Sequence, residues 1–151
     1  MNHTIDVQIA VELADLPSTE QLEQWAKLSL NEMDEETELT IRIVDEAEAM
    51  ELNSKWRNKP EPTNVLSFPV DANPVVKPRL LGDIVICAPV IAREAQEQGK
   101  SMDSHFAHMV IHGTLHLLGY DHIEEEQAIM MEAMEVNMLK TLQINNPYKT
   151  N

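Results

Sequence analysis

The stretch from His108 to His122, reading HMVIHGTLHLLGYDH, constrains this chain more than any other. His112 and His116 are four residues apart. On a helix that spacing puts both imidazoles on one face, about 6 Å apart along the axis. A helix cannot carry a residue six positions further on back to the same point, so the chain must turn before His122. Gly119 is where it can, because glycine accepts the left-handed backbone that ends helices. His122 then returns from beyond the turn as a third ligand. Three neutral imidazoles with a fourth position open are the donor set of a catalytic zinc site. His112, His116 and His122 are therefore the expected ligands of one zinc ion.

The metzincin proteases carry HExxHxxGxxH, with the glutamate as general base. The frame here is HGxxHxxGxxH, with Gly113 at the glutamate position. The metal-binding pattern is kept and the protease base is absent, which disfavours peptide hydrolysis. His108, one turn before His112, is expected to support a ligand or to pack, and His105 and His3 to be ordinary structural histidines.

The rest of the chain reads as alternating strands and helices. Residues 4–11 and 38–44 show the period-two pattern of strands, and the Pro17-Ser18-Thr19 break between them opens a helix with Leu22, Trp25, Ala26, Leu30 and Met33 on one face. Asp45 is placed to cap a second helix with Ala49, Leu52, Asn53 and Trp56 inward, stopped by the prolines at 60 and 62. A short strand is expected at 65–68 and a strong buried strand, interrupted by Gly82-Asp83, at 80–87, with a loop over 71–78. Pro89 opens a helix that Gly99 ends, and Ser101 or Asp103 opens the histidine helix, which runs to Leu118. A Met-rich last helix spans 124–142, followed by a frayed tail after Ile144. The expected architecture is one α+β domain over residues 1–151, a mixed four-stranded sheet with about five helices and a zincin-like metal helix.

Charge is unevenly spread. The net charge is −15, yet residues 55–79 hold Lys55, Arg57, Lys59, Lys77 and Arg79 against two acids. An anionic substrate would meet the chain there, against a background that repels non-specific polyanions. The single cysteine, Cys87, excludes an internal disulfide and a cysteine-based zinc site. No apolar run reaches the ~20 residues of a membrane span, and the N-terminus lacks the pattern of a signal peptide. A cytoplasmic protein without a membrane partner is expected.

Three segments, in order, resemble the YbeY family of bacterial rRNA maturation endoribonucleases: NSKWRNKPEPTNVLSF from Asn53 to Phe68, LGDI from Leu81 to Ile84, and HGTLHLLGYDH from His112 to His122. The resemblance implies zinc on three histidines and cleavage of single-stranded RNA. It further implies a part in 16S rRNA 3′-end processing and ribosome quality control, with rRNA and 30S components as partners and no DNA. Carried over by position, His112, His116 and His122 are the ligands and Arg57 is the functional arginine, acting with His112 and His116 in catalysis; Lys55 and Lys59, from the basic segment, are expected to flank Arg57 as substrate contacts. The family usually shows TDVLSF where this chain has Asn64 in place of the aspartate. The general base stays open, with Asp83 one candidate and Asp121 a residue able to orient a ligand. Two other classes stay open as well: a ribosome-assembly factor whose zinc is mainly structural, and another zinc hydrolase such as an atypical peptidase.

Overall fold

Alternating apolar residues build β1 (His3–Ala10), and the chain then turns into α1 (Thr19–Ser29). Ser18 caps α1 in a reciprocal box: the Gln21 amide donates to Ser18 Oγ and the Ser18 amide to Gln21 Oε1. β2 (Thr37–Val44) lies parallel to β1, so α1 is the crossover of a βαβ unit. The structure, a computed structural model, describes residues 2–59, 61–70, 77–121 and 124–148. The greater part of the expected 71–78 loop is outside the described residues.

Asp45 accepts from the Glu48 amide and opens α2 (Glu46–Arg57), as its sequence indicates. The helix ends at Arg57, with Asn58 in the left-handed conformation as its cap, directly before the expected stop at 59–62. Trp56 corrects an expectation. It is 62 % exposed. Only Ala49 and Asn53 of α2 are buried, and at the last turn the indole meets Phe68 edge-on instead of entering the core.

β3 (Val65–Pro69) and β4 (Arg79–Cys87) complete a sheet of order β1-β2-β4-β3, with β3 antiparallel at the edge. α3 (Ala88–Gln98), α4 (Met102–Leu117) and α5 (Glu125–Thr141) follow. The described residues thus form one α+β domain with five helices and a mixed four-stranded sheet, as expected. None of these helices is long and apolar enough to cross a membrane.

The sheet separates two cores. On one face Ile41, Ile43, Ile84 and Ile86 pack against α1 and α4; on the other Val44, Leu66 and Val85 pack with Ala49 of α2 and Val90 of α3. Each fully buried side chain of this kind contributes about 1.5–3 kcal/mol relative to exposure. α4, almost wholly apolar between its histidines, is buried along most of its length. It reaches the sheet through Gly113, where a Cβ would lie 2.8 Å from Ile84 Cγ2 and 3.3 Å from Ser67 Oγ.

α5 buries Met131, Glu135 and Leu139, a stripe at four-residue spacing. Met130 faces solvent, while Met134 and Met138 pack at the core margin. The tail is not frayed at Ile144: Ile144 packs on the core, and Tyr148 donates its hydroxyl to Glu135 at 2.8 Å. A buried carboxylate needs donors, and the tail supplies one.

Candidate metal centre

α4 delivers His112 and His116 on one face, as their spacing requires. Their rings stand nearly perpendicular with centroids 4.5 Å apart, and the two Nε2 atoms face each other at 3.1 Å. The opposite nitrogens decide what those atoms are. His116 Nδ1 lies 3.0 Å from the Tyr120 carbonyl oxygen, which can only accept, so Nδ1 carries the proton. His112 Nδ1 lies 3.2 Å from Glu135 Oε1, and a carboxylate likewise only accepts. In the neutral rings both Nε2 atoms therefore present lone pairs toward each other. That arrangement suits a cation shared by the two rings. Two nitrogens bound at the usual zinc–imidazole length of 2.0–2.1 Å in a tetrahedron are about 3.3 Å apart, close to the distance found. The donor set fits a metal ion.

Gly119, at φ 102°, makes the turn after α4. It brings the Tyr120 carbonyl under His116 while the Tyr120 amide bonds back to Leu115. His122, the third expected ligand, lies outside the described residues.

Glu135 joins the histidines from α5. Its signal in the sequence is a single acid on the apolar stripe of α5, between Met131 and Leu139. Its Oε1 accepts from His108 Nε2 at 2.6 Å, from the Tyr148 hydroxyl at 2.8 Å and from His112 Nδ1 at 3.2 Å. Burial by itself would raise this carboxyl, but the hydrogen bonds from His108 and His112 outweigh it and hold the group at about 2. Burial, and then the Glu135 charge, push the Tyr148 phenol up, so it stays protonated and donates.

His108, His112 and Glu135 place ligand atoms within 4.8 Å of one another, and such a group could itself hold a metal ion. The 2.6 Å between His108 and Glu135 is a hydrogen-bond length, shorter than the edge of a zinc tetrahedron. At that length the carboxylate bonds His108 and holds the His112 ring through Nδ1, on the side away from Nε2. His108 is thus buried beside His112 and bonded to Glu135, within a group that could itself hold an ion. His105 donates to Glu94 at 2.9 Å, and His3 lies 2.6 Å from Thr37 Oγ1.

Asn64 lines the same cavity, of about 270 Å³, as His112, Glu135 and Tyr148. Its amide nitrogen donates to the Glu94 carboxylate at 3.1 Å and its oxygen accepts from the Val65 amide. An aspartate here would set two carboxylates against each other, so the neutral amide suits Glu94.

Gly113 also accounts for the missing protease base. A side chain there would enter Ile84 and Ser67, so this helix position has no room for a glutamate.

Arg57 is the last residue of α2, exposed, and its Nη2 donates to the Ser67 carbonyl oxygen at 3.2 Å. It lines a second cavity with Ser67, Phe68 and Asp83, and not the cavity of His112. Edge strand β3 stands between them, joined to both sides at one residue: the Ser67 carbonyl takes Arg57, and the Ser67 hydroxyl donates to the Gly113 carbonyl beside His112. Asp83 belongs to the Arg57 side. Lys55, Arg57 and Lys59 have no ion pair among the described residues, whereas Lys77 and Arg79 both bind Glu35, at 3.1 and 2.8 Å. The basic segment is thus two groups, and only the first lies beside Arg57.

Fold and site define a class: single-domain α+β proteins with a histidine–carboxylate centre whose donors could hold a metal ion. The family model described as endoribonuclease YbeY matches residues 7–143, and the chain belongs to the YbeY endoribonuclease family. It is therefore a hydrolase of the RNA-cleaving kind, of a family that acts in rRNA maturation. The fold is also similar to the solution structure of TM1509 from Thermotoga maritima, at 24 % identity and a TM-score of 0.56, covering 95 % of this chain and 99 % of that one.

Proposed function

We propose that this chain is a zinc-dependent endoribonuclease of single-stranded RNA, one catalytic domain over residues 1–151. In this reading it acts in 16S rRNA 3′-end maturation and late ribosome quality control in the cytoplasm, with the 30S subunit as partner. His112, His116 and His122 would hold the ion. The observation that carries the reading is the pair of Nε2 atoms facing each other at 3.1 Å, each ring fixed from behind by an acceptor. A bound zinc ion supplies Lewis-acid polarisation of a phosphate oxygen and acidifies water.

The chain's own residues do the rest. Glu135 and the Tyr120 carbonyl hold the two rings in the tautomer that ligation needs. Arg57 would clamp the phosphodiester, since its planar fork matches two phosphate oxygens and stays charged. With β3 between Arg57 and His112, the RNA backbone would cross that edge strand. Lys55 and Lys59 would neutralise flanking phosphates. The test measures zinc by elemental analysis in unsupplemented protein and cleavage of a defined single-stranded RNA. One zinc per chain, and cleavage lost with chelator and restored by zinc, are expected. His116→Ala should lose both zinc and turnover. A zinc-free wild type with full activity would overturn the reading.

A further inference from the structure

We infer that the sheet face beneath the last turn of α2 is a nucleobase subsite for single-stranded RNA, with Trp56 as its stacking platform. The inference rests on the proposed RNA substrate and adds to it a residue and a surface on the side of β3 away from the histidines. The cavity there has a volume of about 770 Å³ and is lined by Trp56, Arg57, Phe68, Thr40 and Asp83 among others. The chain has two tryptophans, and they are used differently: Trp25 is 6 % exposed in the core, while Trp56 is 62 % exposed at the cavity rim. Phe68 meets the indole edge-on at 6.4 Å between centroids, which props it without covering it.

Charge marks the same place. Arg42, Lys77, Arg79 and Arg93 are each tied to a glutamate. Lys55, Arg57 and Lys59, on either side of Trp56 in the chain, hold no ion pair among the described residues, and Lys55 Nζ stands 5.4 Å from the indole centroid. Of the two acids that line the cavity, Glu48 and Asp83, Glu48 is neutralised by Arg42 at 2.6 and 3.1 Å. An exposed indole beside cations that hold no ion pair among the described residues, in a chain of net charge −15, is complementary to a base with its phosphates. A base paired within a duplex has its faces covered by its neighbours, so the subsite selects unpaired RNA.

The test uses the full chain and a nuclease-resistant 2′-O-methyl hexaadenylate, with binding followed by anisotropy of the labelled oligomer and by tryptophan fluorescence. Wild type should bind with quenching. Trp56→Phe should bind within about threefold of wild type without quenching, because phenylalanine also stacks and Trp25 is out of reach; Trp56→Ala should bind about 5- to 100-fold more weakly. Melting temperature and zinc content should not move, which separates stacking from a structural role. If Trp56→Ala binds as wild type does, or duplex RNA quenches equally, the subsite is wrong while the RNA substrate stands. If wild type binds no single-stranded RNA, both readings fall.

Discussion

Glu135→Gln tests the support of the histidine centre most directly. It keeps the side-chain shape and removes the charge that accepts from His108, Tyr148 and His112. Held at about 2 against 4.5 for the ordinary carboxyl, the group contributes about 3 kcal/mol at 1.36 kcal/mol per pH unit. Its folded value lies below its unfolded one. The contribution is therefore complete above about pH 4.5 and lost as pH falls through about 2. One kcal/mol moves the melting temperature of a domain this size by about 2–4 °C, so metal-stripped Glu135→Gln should melt about 6–12 °C below wild type at pH 7. Between pH 4.5 and 2 the variant's melting temperature should fall less steeply than wild type's. Zinc affinity, measured by chelator competition, should drop about 10- to 100-fold, because the acceptor behind the His112 ring loses its charge. Glu126→Gln, at the exposed first turn of α5, is the control and should match wild type. A Glu135→Gln protein that melts with wild type, shows the same acid profile and binds zinc as tightly would refute the reasoning.

Arg57→Ala removes one exposed hydrogen bond to Ser67 and no ligand, so zinc content should hold, melting should change by about 1 kcal/mol or less, and RNA turnover should fall about 100-fold if Arg57 stabilises phosphate charge. Melting far below wild type, with turnover tracking the folded fraction, would make Arg57 structural. Gly113→Ala should destabilise by about 1–3 kcal/mol, read by denaturant melts, since its Cβ would lie 2.8 Å from Ile84. Neutralising Lys55 and Lys59 should flatten the salt dependence of RNA affinity. Neutralising Lys77 and Arg79 should leave that slope unchanged, because both serve Glu35.

Much of this molecule is legible one segment at a time. The caps at Ser18, Asp45 and Ser101, the stop at Gly99, the pairing of His112 with His116 and the turn at Gly119 all depend on residues within one helical turn of each other. Local backbone energetics decide such features, and the sequence by itself carries them. The resemblance of three ordered segments was enough to point to the YbeY family, because motif spacing survives without knowledge of the packing. What the spacing could not reveal is which distant groups meet. Glu135 reaches His112 across 23 positions and Tyr148 reaches Glu135 from the tail; a buried carboxylate is stable only where donors converge on it, and convergence is a property of packed helices. Trp56 has the spacing of an inward residue and faces out because α2 has left the core by its last turn. Gly113 looks like the loss of a base, and only its contact with Ile84 and Ser67 shows a glycine required by the approach of α4 to the sheet. Arg57 and His112, joined in one expected catalytic set, stand on two sides of β3 because the hydrogen-bonded order of strands, which no local pattern encodes, puts that strand at the edge.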